Sequence, residues 1–192
     1  MRAKFLASSL LVLLQTAGPA LAHTGAGTAF SVQSGFLHPL GGLDHLLAMF
    51  AVGLLAAQLG GRAIWLVPGA FVVVMMAGAL AGFAGIEIRG VEFGITISIV
   101  AIALPVAFAL GMPAAFAMAY VGFFALFHGY AHGAELPVDA DGAPYIAGFV
   151  LATALVHAAG IAFGRLSATR GRHALRIAGG LVGIVGLGLA LS

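Results

Sequence analysis

The sequence predicts an all-α, polytopic membrane protein: a bundle of six transmembrane helices that follows a cleavable N-terminal signal peptide. The chain of 192 residues is 62% hydrophobic and 7% charged, whereas about a quarter of the residues in soluble domains are charged. Its mean hydropathy is +1.14, and its apolar residues fall into stretches long enough to cross a bilayer. This composition excludes a soluble enzyme, a nucleic-acid-binding module and a disordered chain.

The absence of cysteine and the near absence of lysine exclude further classes of function. The chain has no Cys, which excludes disulfides, thiolate metal sites and cysteine nucleophiles. Its only lysine is Lys4, so the mature protein cannot form the phosphate-binding loop that needs a lysine after its glycines. ATP hydrolysis by that route is therefore not expected.

Residues 1–22 are typical of an export signal. Arg2 and Lys4 precede an apolar run over 5–14, and the segment 20–22, Ala-Leu-Ala, supplies the small-x-small cleavage pattern. An uncleaved transmembrane helix is the alternative, but the run is only about half of the ~20 residues that a bilayer requires. Cleavage after Ala22 would start the mature chain at His23, whose amine and imidazole could together chelate a divalent metal.

The remaining chain, 23–192, is predicted to be a single transmembrane domain. Its apolar stretches predict helices at about 37–60, 63–86, 91–110, 114–133, 144–164 and 173–191. Short polar connections join them. Small residues at helical spacing, such as Gly78 and Gly82, indicate close helix packing and are compatible with homo-oligomerisation.

The charged residues predict the orientation in the bilayer. If the mature N-terminus is periplasmic, one positive residue, Arg89, faces out and five face the cytoplasm: Arg62, Arg165, Arg170, Arg172 and Arg176. The positive-inside rule favours this topology in the bacterial inner membrane. The outer loops carry Glu87, Glu92, Asp139 and Asp141, which either concentrate cations or are simply solvated.

Two polar motifs lie in the apolar helices, where ionisable groups usually mark a site or pathway. One spans 38–45 (HPLGGLDH), with Met49 one turn further on; the other spans 128–135 (HGYAHGAE). His128, His132 and Glu135 share one helix face. In a regular helix His38 would nearly eclipse His45, although Pro39 and the two following glycines could leave His38 on an unwound segment.

The rise per residue of an α-helix predicts how deep each of these residues lies below the outer surface of the membrane. The residues of the two motifs form common layers provided that the first and fourth predicted helices are neighbours. The expected rim layer contains His38, His132 and Glu135, and the layer about 10 Å deeper contains Asp44, His45 and His128. His157, about 20 Å from the outer surface, is either the next station or a histidine bonded to a neighbouring helix. Glu92 at the mouth of the third helix is a further pathway candidate.

Imidazoles and carboxylates without thiolates suit divalent nickel, cobalt, zinc, iron or manganese. Nickel or cobalt fits best, and spacing does not choose among nickel, cobalt and zinc. Met49 either adds a soft ligand or only packs. Two other readings stay open at this point: a membrane metalloenzyme that activates water with the same groups, and an accessory protein that binds metal without moving it.

The two motifs together resemble the signatures of the HupE/UreJ family of nickel and cobalt permeases. The matching residues are 38–45 with 47–49 and 52–53, and 127–135. The resemblance spans the mature chain. It implies a functional set of His38, Asp44, His45, His128, His132 and Glu135.

By this resemblance the protein is a permease rather than an enzyme, with Ni²⁺ or Co²⁺ as its cargo and no cofactor. It would supply hydrogenase or urease maturation, which makes a metallochaperone of that maturation a candidate partner. Inward movement of a +2 ion releases about 4.6 kcal/mol per 100 mV, so the membrane potential suffices as the driving force. Uptake is expected to fall below about pH 6.5, because ligating imidazoles must be neutral.

Overall fold

The computed structural model describes residues 31–136, 142–169 and 172–191. Within these ranges the chain is entirely helical apart from its connections, as the sequence predicts. The helices are α1 (Val32–Gly41), α2 (Leu43–Leu59), α3 (Ala63–Phe83), α4 (Val91–Ala107), α5 (Ala114–Ala134), α6 (Gly142–Thr169) and α7 (Arg172–Ala190). The predicted signal peptide, His23, Asp139, Asp141 and Arg170 lie outside the described residues.

Several helices have the length and composition of membrane spans. In the described residues, four segments qualify: Ala63–Phe83, Ala114–Ala134, Gly142–Ser167 and His173–Ala190; the bent α1–α2 pair raises the number to five. α4 is apolar but has 17 residues, or about 25 Å of helix against about 30 Å of hydrocarbon. The chain is thus a helical, multi-pass membrane protein.

The prediction of one continuous helix over 37–60 was wrong. The chain breaks at Gly42, and α1 and α2 meet at an angle of 88°. Gly42 has extended backbone angles, φ −99° and ψ 116°, and two consecutive glycines weaken a helix. His38 therefore lies on a separate helix axis from His45 instead of above it. It belongs to the helix α1, and not to an unwound segment as the alternative proposed.

Other helix bounds differ less from those expected. α6 is longer than the predicted 144–164, so Arg165 lies within the helix and not in a loop. α7 begins at Arg172 and includes Arg176, whose Nε donates to the carbonyl of Ala107 at 3.1 Å. Arg62, Arg165 and Arg176 lie at the same end of the bundle, hereafter the arginine end.

Glycines hold α3 and α5 in backbone contact. A Cβ at Gly129 would overlap the carbonyl of Met75, and one at Gly133 would overlap that of Ala79. From the other side, Gly78 meets the carbonyl of Leu126. Small residues at such positions let membrane helices pack closely, as the sequence predicts for Gly78.

Glycines also allow α1 and α2 to pack in backbone contact with α6. Gly35 of α1 contacts the backbone of Tyr145, and Gly148 of α6 contacts the backbone of α1. Gly53 of α2 and Gly160 of α6 face each other directly. α1, α2 and α6 therefore form one closely packed group, and α3 and α5 form another.

The apolar core fills the bundle towards the arginine end. Val52, Leu55, Val67 and Ile102 are 0% exposed. At that end the Gln58 amide donates to the carbonyls of Pro105 and Leu110, at 3.0 and 2.9 Å. The opposite end, where α2 begins and α5 finishes, carries the histidine motifs.

Candidate metal site

Three imidazoles from α2 and α5 meet inside the bundle. The His45 ring centroid lies 4.8 Å from that of His128 and 4.7 Å from that of His132. All three side chains are buried. His128 and His132 reach the same place because residues four apart share one face of a helix. The structure thus joins the first motif to the second.

A more open cluster lies above them. The His38 ring of α1 lies 4.8 Å from the His132 ring, and its Nε2 is 3.6 Å from Glu135 Oε2. One candidate ligand atom from each of His38, His132 and Glu135 lies within 4.8 Å of the others. His38 is half-buried and Glu135 is exposed, so this rim cluster is reached from the end of the bundle.

Asp44 orients the His45 ring. Its Oδ1 lies 3.0 Å from His45 Nδ1 and also accepts the His45 backbone N–H at 2.8 Å. A neutral His45 therefore carries its proton on Nδ1, where the carboxylate accepts it. The other nitrogen, Nε2, is buried without a hydrogen-bond partner among the described residues, which is the arrangement of a metal-ligating imidazole with an orienting carboxylate.

Ser98 of α4 plays the corresponding part for His128. The Ser98 hydroxyl donates to the carbonyl of Ile95 at 2.6 Å, so its oxygen is left to accept from His128 Nε2 at 2.9 Å. The proton of His128 is then on Nε2 and the lone pair on Nδ1. Nδ1 is buried without a partner in the described part of the chain, so His128 also presents one nitrogen as a ligand.

Ser98 and the aromatic side chains that line the site were not predicted from the sequence. Tyr145 and Phe149 of α6 lie 5.8 Å from the His38 ring and 4.1 Å from the His132 ring. A hydroxyl in the middle of the apolar stretch 91–110 was the signal for Ser98, since polar groups at that depth need a partner. No comparable signal marks aromatic side chains in an apolar helix.

The other candidate residues lie apart from the two clusters. Met49 is buried in the apolar core one turn below His45, and Glu92 is exposed in the first turn of α4. Glu87 faces Arg89 at 3.5 Å on the surface, where an ion pair contributes little. His157 is buried on α6, with its ring 5.2 Å from that of Phe71.

The fold and the site define a multi-pass helical membrane protein with a buried group of imidazoles and two carboxylates, half-buried Asp44 and exposed Glu135, next to them. The HupE/UreJ family profile, described as "HupE / UreJ protein", matches residues 11–189. The chain is 42% identical over 173 residues to "Protein HupE" of Rhizobium leguminosarum bv. viciae, a match covering 89% of this chain and 91% of that protein.

The chain belongs to the HupE/UreJ family, as its two motifs predict. This is a family of nickel and cobalt permeases and accessory proteins that serve hydrogenases and ureases, not a family of enzymes. No solved structure matches the chain.

Proposed function

We propose that the protein imports Ni²⁺, and also Co²⁺, from the periplasm to the cytoplasm for the maturation of a nickel enzyme such as hydrogenase or urease. The observation that carries this proposal is the pairing of His45 and His128. Each ring is held through one nitrogen and leaves the other buried without a hydrogen-bond partner in the described structure, and the ring centroids are 4.8 Å apart. Borderline divalent ions are the chemistry that such imidazoles serve.

Six crossings by α2 to α7 would fit this function, with the 17-residue α4 as a short span. The arginine end would face the cytoplasm by the positive-inside rule. The rim cluster would then face the periplasm together with Glu87 and Glu92. Asp44 and Glu135 would supply two negative charges along the path of a +2 ion.

The order of the clusters supports a sequence of capture and dehydration. Exposed Glu135 attracts the hydrated ion, and His38 and His132 replace part of its water. Deeper, the ion meets His45 and His128 in a region from which water is largely excluded. An intramembrane charge is costly unless it is compensated, which is the role of Asp44 beside His45.

The membrane potential would drive the import. Two charges that cross 100 mV release about 4.6 kcal/mol, enough for roughly three decades of accumulation. The proposal needs no nucleotide hydrolysis. Acidification should oppose uptake because protons compete for the same imidazoles.

The test is uptake of radioactive nickel by proteoliposomes under an inside-negative potential. The wild type should accumulate Ni²⁺, and His128→Ala should lose at least nine-tenths of the initial rate at equal protein content. His173→Ala is the matched control, because His173 is exposed at the start of α7. Wild-type uptake by His128→Ala would contradict the proposed pathway, and binding without accumulation by the wild type would indicate an accessory protein instead.

A further inference from the structure

His157 is a buried imidazole for which the outer clusters give no role. It lies in the middle of α6 and is 2% exposed. Neither ring nitrogen has a hydrogen-bond partner in the described part of the chain. Burial of an unsatisfied polar group is destabilising, so a leucine or phenylalanine would suit a purely packing role better.

The surroundings of His157 include further donor atoms. Thr153 lies one turn nearer the rim on the same face of α6, and its Oγ1 is 3.9 Å from the sulfur of Met75. The Thr153 hydroxyl proton goes to the carbonyl of Phe149 at 2.9 Å, which leaves the oxygen lone pairs available. A hydroxyl oxygen and a thioether sulfur thus lie about one helical turn above the imidazole.

His157 lies deeper below the rim than His128. Phe149 contacts the His132 ring at 4.1 Å, and His157 is eight residues further along α6, or about 12 Å deeper. His128 is one turn, about 6 Å, deeper than His132 on α5. The imidazoles of His132, His128 and His157 therefore descend in steps of about 6 Å.

The Phe71 ring lies next to both His128 and His157. Its ring centroid lies 5.7 Å from that of His128 and 5.2 Å from that of His157. The ring is 0% exposed, so it separates the two imidazoles without opening either to lipid. Beyond His157, towards the arginine end, the buried residues of α2 and α3 are apolar, with Val52, Leu55 and Val67 at 0% exposure.

We propose that His157 is a second, deeper binding position for the transported divalent ion, occupied after His128 and before release at the arginine end. The inference rests on the proposed function for the order of the two positions. The binding itself rests on the buried imidazole, whose two nitrogens have no hydrogen-bond partner in the described structure, and on the donor atoms about one helical turn above it. An ion there would be halfway along the bundle, with the apolar core as the remaining barrier.

The absence of native cysteine allows a direct test of binding. In the full-length His157→Cys protein, Co²⁺ should produce thiolate-to-metal charge-transfer absorption, because the new thiolate is the only one in the chain. The matched control is Ala158→Cys, since Ala158 is exposed on the adjacent position of α6. Absorption from both variants, or from neither, would overturn the proposal.

A second variant tests the place of His157 in transport. His157→Phe fills the site and keeps a ring against Phe71, so a packing role predicts wild-type uptake. If His157 passes the ion on from His128, which we call the relay role, this variant should take up Ni²⁺ at least tenfold more slowly in proteoliposomes. Its Ni²⁺ affinity in detergent should stay within twofold of wild type, because the clusters nearer the rim are unchanged. Wild-type uptake by this variant would overturn the relay alone.

If the wild type does not accumulate nickel although His157→Cys binds Co²⁺, the proposed function fails and the deeper binding position stands.

Discussion

The imidazole rings of His45 and His132 have centroids 4.7 Å apart, and these two side chains connect the outer cluster with the inner one. His132 is also next to His38, and His45 is next to His128. The rim and the deeper layer are therefore one continuous group of imidazoles. In the proposed pathway, an ion that binds at the rim would be passed inward from one nitrogen to the next.

Asp44→Asn should weaken Ni²⁺ binding by at least tenfold. The substitution removes a negative charge and the acceptor that fixes the His45 ring, and loss of an orienting carboxylate typically costs 10–100-fold in metal affinity. Calorimetric titration of the purified protein measures this. Glu87→Gln, an exposed carboxylate paired with Arg89, is the control, and equal affinities of the two variants would refute the role of Asp44.

His132→Ala should abolish uptake more completely than His38→Ala. His132 belongs to both clusters, with its ring 4.8 Å from His38 and 4.7 Å from His45, whereas His38 contacts only the rim. Nickel-uptake rates at matched protein content should fall at least tenfold for His132→Ala and less for His38→Ala. The reverse order would show that the rim, not the junction, limits transport.

Ser98→Ala should reduce nickel affinity several-fold without unfolding the protein. The lost hydroxyl accepts from His128 Nε2 at 2.9 Å, so the ring loses its preferred orientation and tautomer. Thr96→Val is the control on the same helix, because the Thr96 hydroxyl donates to the carbonyl of Glu92 instead. If both variants bind nickel like the wild type, Ser98 does not position His128.

Gly129→Ala should destabilise the bundle by about 1–3 kcal/mol, the usual cost of overpacking. Its new Cβ would overlap the carbonyl of Met75, whereas a Cβ at Gly180 meets nothing within 4 Å. Thermal unfolding in detergent should show a lower Tm for Gly129→Ala than for Gly180→Ala. Equal Tm values would mean that α3 and α5 pack less closely than described.

Acidification should slow nickel uptake at constant membrane potential. Protonated imidazole cannot ligate a metal, so metal binding releases protons and is weakened as their concentration rises. The measurement compares initial rates at pH 7.5 and 5.5 in proteoliposomes with a clamped potential. A rate that rises at the lower pH would indicate coupling to proton entry instead of competition.

The sequence predicts much of this site because its chemistry is local. His128, His132 and Glu135 share a helix face by spacing alone, and a charged residue such as Asp44 stands out in an apolar chain. The prediction that the two motifs lie close together depended on the assumption that the first and fourth predicted helices are in contact. The structure shows this contact at His45 and His128. Whether these residues bind a metal ion, which metal it is, and whether they transport it stay predictions.

The remaining features depend on tertiary contacts that no spacing encodes. The 88° bend at Gly42 accompanies backbone contacts between α1 and α6 at Gly35 and Gly148, whereas glycine only permits a break and does not require one. Phe71 and Phe149 look like any lipid-facing aromatic residue in the sequence, yet they lie against His157 and His132. Their importance becomes visible only when the helices are assembled.

The glycine contacts place the candidate ligands in two separate groups of helices. Gly129 and Gly133 lock α5, with His128 and His132, to α3, while Gly53 and Gly160 lock α2, with His45, to α6. A rocking motion that preserves both sets of contacts and pivots at the arginine end would pull His45 away from the α5 histidines. Loss of the coordination shell and opening of the bundle would then be a single mechanical event, as expected for a carrier that alternates its access.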